Sequence, residues 1–337
     1  MRDFFESSVR TTQPRPARLP SSYVQTRVPL LDSCRVRGTP VRLMYVSLAV
    51  IICLCAVSAE ALILRQSSAL LVPSRSGIRR VVEVQLSAFT PVQQDVAASA
   101  LSVAGTIVWL QIWIGLAGKG VLPANLSRKI IHTGSAPLFM CLWPLFSATP
   151  NAKYFAAGVV ALQMTRLIIA GTQARPDSSN GVIAARSQEL VNAISRSGEK
   201  KEALGGPLVY TIVLLISTLL WFRENPAGVV AVSQMAAGDG MADIVGRRWG
   251  SQKWPFAPKK SIAGTTAFVV AAFAVTTGLM ALYHATGFLA TDVTDKWPVV
   301  LGISVACAFV ELLPLGEDNI TVPVAGAALS LLLLSAV

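Results

Sequence analysis

Two carboxylates stand inside an apolar run at the middle of this chain. The stretch is Met235-Ala-Ala-Gly-Asp-Gly-Met-Ala-Asp243-Ile-Val-Gly-Arg-Arg-Trp-Gly250, and Lys259-Lys-Ser-Ile-Ala-Gly264 follows it. Asp239 and Asp243 are four residues apart, so on a helix they share a face. Paired carboxylates are the oxygen ligands that Mg²⁺ prefers when it bridges to substrate phosphates. The flanking Gly238 and Gly240 allow a ligand or a neighbouring backbone to come close, and they also weaken the helix. Five cations and no acid follow before the next apolar run: Arg247, Arg248, Lys253, Lys259 and Lys260. Cations beside a metal site neutralise the charge that moves in phosphoryl transfer. A buried Asp pair satisfied within the bundle, with cations placed only by membrane topology, is the plainer alternative.

Three further groups carry candidate chemistry. Arg128-Lys129-Ile-Ile-His132 puts a histidine one turn beyond two cations, where it can serve as an acid, a base or a structural ring. Lys260-Ser261 opens an apolar run, so Ser261 and the first backbone N–H groups can hold a phosphate at a helix start. Two polar segments, Ser195-Arg196-Ser-Gly198 with Gly206-Pro207, and Glu311 with Asp318-Asn319, flank other apolar runs. There Asp318 or Asn319 can cap a helix, and Glu311 can be a third carboxylate. No GxxxxGK[ST] occurs, which excludes a P-loop nucleotide site.

The elements that hold these residues are membrane helices. The chain is 53% hydrophobic and 14% charged, far below the quarter charged expected of a soluble protein, and its mean hydropathy is +0.56. The net charge of +11 does not indicate nucleic acid. Residues 1–90 hold 12 Arg against 5 acids, and no basic patch is interleaved with aromatics. The five Cys form no CxxC, and two His leave little for a zinc site; His284 reads as structural.

Residues 1–90 read as a targeting presequence. All their cations are Arg, and Ser, Thr and Pro are frequent. A signal-peptide-like core with small residues at its end covers 43–61, and a transit-like stretch covers 62–90. That order resembles the bipartite leader of proteins sent to a plastid with extra surrounding membranes. Met44 opens the apolar core, so 1–43 is either a long leading region or an extension; a mature helix over 43–59 is the alternative.

Residues 91–337 read as one all-α polytopic bundle of seven or eight spans: roughly 96–117, 130–147, 152–171, 207–222, 226–246, 262–284, 298–313 and 321–336. In alternation, the loops of one side carry 13 Lys and Arg and those of the other carry 3, with Arg166 left inside a span. That bias makes the first side cytosolic or, in a plastid, stromal. Every candidate group falls on that side.

Taken in order over about 125–325, the pieces Arg128-Lys129…His132, Ser195-Arg196-Ser197-Gly198…Gly206-Pro207, Gly238-Asp239-Gly240…Asp243…Gly246-Arg247…Gly250, Lys260-Ser261…Gly264 and Glu311…Pro314…Asp318-Asn319…Pro323 resemble the phytol kinase family of polyprenol kinases. Dolichol kinase and phosphatidate cytidylyltransferase are more distant relatives of that family. Ala237 stands where another Gly is expected. The resemblance implies a membrane enzyme that uses a nucleoside triphosphate, usually CTP, with Mg²⁺ to phosphorylate an isoprenoid alcohol, and in plastids the salvage of phytol toward tocopherol. It implies catalytic roles for Asp239, Asp243, His132 and Lys260, with the metal on Asp239 and Asp243. Nucleotide and phosphate contacts fall on Arg128, Lys129, Arg196, Gly238, Gly240, Arg247, Ser261, Asp318 and Asn319. A farnesol or geranylgeraniol kinase and a CDP-lipid synthase are the alternatives. A transporter fits less well, because no inverted repeat is evident and the polar motifs gather at one face.

Overall fold

The computed structural model describes residues 90–172, 189–193, 199–289 and 294–334. Of the residues read as a presequence, 1–90, all but Thr90 lie outside the described residues, as does Arg196. The described chain is a helical bundle: α1 Pro91–Gly118, α2 Ala124–Cys141, α3 Ala152–Thr172, α4 Gly206–Trp221, α5 Ala227–Ser233, α6 Gly240–Trp249, α7 Ile262–Ala285, α8 Trp297–Leu312 and α9 Asp318–Leu333. Each of the eight sequence-derived spans finds its helix, with α5 and α6 sharing one. By length and composition, Pro91–Gly118, Ala152–Thr172, Lys201–Trp221 and Ile262–Ala285 can cross a membrane. Helices α8 and α9 are apolar but only 16 residues each, so they rise about 24 Å, short of a 30 Å hydrocarbon core.

Helix α5 runs through the centre of the bundle. Ala227 to Gly238 is wholly buried, because its Ala, Gly and Val side chains let α4, α7 and α9 approach closely. A π-helical segment, Gln234–Asp239, joins α5 to α6 without a break. Such insertions re-aim the side chains beyond them and recur at functional sites. They are invisible to a 3.6-residue period, so the sequence suggested only one span over 226–246, weakened at its glycines.

The two glycines around Asp239 serve packing. A Cβ at Gly238 would come within 2.7 Å of the Phe268 ring, and one at Gly240 would overlap Thr133 Oγ1. They bring α7 and α2 against the Asp239 turn, and neither lines the main cavity described below.

Between α6 and α7 the chain forms a two-stranded hairpin, β1 Lys253–Trp254 with β2 Ala257–Ser261, where the sequence offered only a loop. The strands are too short and polar for a period-2 signal. Ser261 ends the hairpin as the buried cap of α7, its Oγ accepting from Gly264 N at 3.1 Å. That bond occupies one lone pair of the hydroxyl suggested for phosphate and leaves its O–H to donate.

Among the described residues, one end of the bundle gathers the α1–α2, α6–α7 and α8–α9 connections with residues 202–206 before α4, as the charge alternation required. At the other end Ser147 N donates to Asp95 Oδ1 at 2.7 Å, and Arg223 donates to the Phe146 and Phe288 carbonyls. Trp143, Phe222, Tyr283 and Phe288 pack there in one aromatic cluster.

Candidate active site

Five elements meet at the charged end. Helix α2 brings Lys129 and His132, the π-helical turn brings Asp239, the hairpin brings Lys260, and α8 with α9 bring Glu311 and Asp318. Lys129 Nζ donates to Asp239 Oδ2 at 3.3 Å and lies 3.6 Å from Asp243 Oδ2. His132 Nε2 is 3.4 Å from the same Asp239 oxygen. Asp243 turns away toward Arg247, whose Nε donates to Oδ1 at 2.7 Å, and the Arg247 side chain is 62% exposed. Asp239 thus faces the inside of the site and Asp243 its outer edge.

Lys260 stands among the carboxylates. Its Nζ donates to Glu311 Oε1 at 2.7 Å and to Asp318 Oδ2 at 2.9 Å. Burial alone would lower the Lys260 pKa; Glu311 and Asp318 outweigh that and hold it above the ordinary lysine value. Lys260 is therefore a fixed cation near neutral pH, suited to phosphate oxygens and not to proton abstraction.

One oxygen from each of Asp239, Glu311 and Asp318 lies within 4.8 Å of the others. Three hard oxygen donors from three elements, Glu311 among them only 4% exposed, fit Mg²⁺. A metal there would compete with Lys260 for Glu311 and Asp318. Asp243 is not part of this cluster.

His132 is held by a partner that sequence reasoning missed. The Tyr210 hydroxyl donates to the His132 carbonyl at 2.9 Å and accepts from Ala136 N at 3.1 Å, and the two rings are 4.6 Å apart. Pro137 lies at this point of α2 and interrupts its hydrogen-bond ladder, so Tyr210 braces the turn that carries the histidine. The signals available were Pro137 inside an apolar run and a tyrosine one turn beyond Gly206-Pro207.

A cavity of about 580 Å³ opens on this cluster. Its polar end is lined by Arg128, Lys129, His132, Asp239, Asp318 and Asn319. Its walls run down α1, α2, α3 and α4 to Val103, Phe139, Val160 and Leu214. Among the described residues Asn319 Oδ1 is buried with no hydrogen-bond partner. A second cavity of about 230 Å³ lies on the outer side, lined by Arg128, Lys129, Asp243, Arg247, Arg248 and Trp249. The two share Arg128 and Lys129. Of the sequence-derived candidates, Lys129, His132, Asp239, Lys260 and Asp318 converge, with Arg128 and Asn319 on the cavity wall; Asp243 and Arg247 flank them, while Gly238, Gly240 and Ser261 serve the fold. The arrangement can hold an apolar molecule by its polar end against cations and carboxylates.

Comparison with known proteins places the chain among close relatives. It is 38% identical over 266 residues to a probable phytol kinase, chloroplastic, of Zea mays, covering 77% of this chain and 83% of that one. It is 38% identical over 218 residues to a probable phytol kinase 1, chloroplastic, of Glycine max, covering 64% and 69%. It is 35% identical over 234 residues to phytol kinase 1, chloroplastic, of Arabidopsis thaliana, covering 68% and 74%. No family model and no solved structure matches. The chloroplastic relatives and the spanning helices make this a multi-pass chloroplast membrane protein. The sequence shared with these relatives over most of both chains shows that the protein belongs to the phytol kinase family.

Proposed function

We propose that the protein transfers the terminal phosphoryl group of a nucleoside triphosphate, CTP in the first instance, to the hydroxyl of phytol or a related prenyl alcohol, within phytol salvage toward tocopherol. The observation that supports this most is the two-ended cavity, apolar along its walls and closed by Lys129, His132 and Asp239 at its polar end. The prenyl chain lies between α1, α2, α3 and α4, and its hydroxyl comes to rest beside His132. The hydroxyl oxygen forms the new O–P bond, the bond to the leaving nucleoside diphosphate breaks, and the hydroxyl proton passes to water.

His132, braced by Tyr210 and lying beside Asp239, orients that hydroxyl. Arg128, Lys129 and Lys260 hold the phosphates and take up the charge that spreads over them. The second cavity, sharing Arg128 and Lys129, takes part of the nucleotide on the opposite side from the alcohol. Asp239, Glu311 and Asp318 would hold Mg²⁺, which when bound neutralises phosphate charge.

The test uses the full-length chain in membranes with phytol and Mg²⁺, offering each of CTP, ATP, GTP and UTP. Phytyl phosphate with stoichiometric CDP is expected. Pyrophosphate release from CTP and phosphatidate, with no prenyl phosphate, would reassign the protein as a CDP-lipid synthase.

A further inference from the structure

The cavity is too shallow for a long prenyl chain to lie extended within it, and this inference rests on the prenyl-alcohol reading above. Its depth follows from helix geometry. His132 to Phe139, Pro207 to Leu214, Leu110 to Val103 and Leu167 to Val160 are each seven residues, and all eight line the cavity. At 1.5 Å per residue the polar end and the floor are about 10 Å apart. A twenty-carbon isoprenoid alcohol has a sixteen-carbon main chain, about 19 Å long when extended with bonds near 1.5 Å.

The tail must therefore leave, and the structure has one seam suited to it. On the α1 and α3 walls the lining residues reach the outer surface. Leu162 is 49% exposed, and Thr106 and Gln163 are half-buried. Outside them Ile107, Val108 and Ile169 form an apolar surface. At the end of the bundle away from the site, α1 and α3 are joined by Ser99 Oγ donating to the Phe155 carbonyl at 3.4 Å. Nearer the site, Thr106 and Thr165 turn their hydroxyls onto their own helices. Among the described residues no side-chain hydrogen bond joins α1 to α3 at that level. The seam is tied at one end and only packed at the other. Arg166, on the rim beside Gln163, supplies a polar edge at the depth of the reacting hydroxyl, which it can reach by extending toward the interface.

We infer that the seam between α1 and α3 is a lateral doorway, in which the distal half of a twenty-carbon prenyl chain lies against the bilayer while its hydroxyl end is held inside. Leu162 is then a chain-length-determining residue. A ten-carbon alcohol, with a main chain of about 9 Å on the same bond lengths, fits within the cavity and does not use the doorway.

The test compares phytol with geraniol in the full-length protein. Leu162→Trp is expected to lower kcat/KM for phytol at least tenfold and to leave geraniol within twofold. Val270→Trp, which adds the same bulk to an exposed position on α7, should change neither. In Leu162→Cys, labelling with a bulky apolar maleimide should reproduce the selective loss in protein whose activity is known before labelling. Phytol should slow the labelling and geraniol should not. Equal loss with both alcohols after labelling, or no protection by phytol, overturns the doorway. Wild-type protein that phosphorylates neither alcohol overturns the functional reading instead.

Discussion

Removing the Lys260 ammonium should separate metal binding from transfer. In Lys260→Met the carboxylates Glu311 and Asp318 lose a donor that lies 2.7 and 2.9 Å away. At an effective dielectric of about 20, a 2.7 Å pair attracts by about 6 kcal/mol before desolvation is subtracted. Breaking a buried pair from one side costs about 3–5 kcal/mol, because the other charge stays buried. The Lys260 side chain is 32% exposed, so the lower end, about 3 kcal/mol, applies. A divalent cation can restore that balance. The detergent-solubilised variant should unfold several degrees below wild type without Mg²⁺, and Mg²⁺ should raise its midpoint more than it raises that of wild type, because the metal no longer competes with an ammonium. Transfer to prenyl alcohol should nevertheless fall about 10²–10³-fold, the loss typical of one transition-state charge donor. A variant that transfers at the wild-type rate, or that Mg²⁺ stabilises less than wild type, would refute this placement of Lys260.

Four other outcomes follow from the same geometry. Asp239→Asn should lower turnover by about 10²–10³-fold with membrane insertion intact, whereas Asp243→Asn, tied to an exposed arginine, should lose less than about tenfold in the same rate assay. Tyr210→Phe removes the hydroxyl that bridges the His132 carbonyl and the Ala136 N–H, and should cost about 1–3 kcal/mol in thermal unfolding; kcat should fall in the same preparation, since the turn that carries His132 loses its brace. Gly134→Ala would drive a methyl into the Trp109 ring between α1 and α2 and should destabilise by about 1–3 kcal/mol in the same unfolding measurement. Lys260, whose pKa is raised in the fold, makes a contribution that is complete below the ordinary lysine pKa and is lost only as pH rises through the higher folded value. The wild-type to Lys260→Gln rate ratio should therefore stay flat from about pH 6 to pH 9.

The bundle was readable because apolar length and loop charge are one-dimensional signals. Thirteen cations on alternate loops against three gave the spans their expected orientation, and among the described residues the structure gathers parts of those loops at one end. The Asp239 turn was readable for a similar reason: carboxylates stand out in an apolar run. Its partners were less so. Glu311 lies 72 positions from Asp239 and meets it through the packing of α8 on α7 and on the π-helical segment, so it could be noted as a third carboxylate but not joined to Lys260. The π-helical turn has no composition signature, and without it an i,i+4 spacing suggests that Asp239 and Asp243 act together. Tyr210 was passed over because a tyrosine in an apolar helix is ordinary; only its position opposite Pro137 gives the hydroxyl a task. Ser261 was read as a phosphate contact from its place at a helix start, and that same place makes it the cap.

The most direct test of the central claim is transfer of γ-labelled phosphate from CTP to phytol by full-length protein in membranes, with Asp239→Asn beside it at matched insertion. The account expects label in phytyl phosphate from the wild type and about 10²–10³-fold less from the variant. Equal labelling by the two would contradict the assignment of the cavity's polar end as the site of transfer, and no labelled prenyl phosphate from any nucleotide would contradict the activity itself.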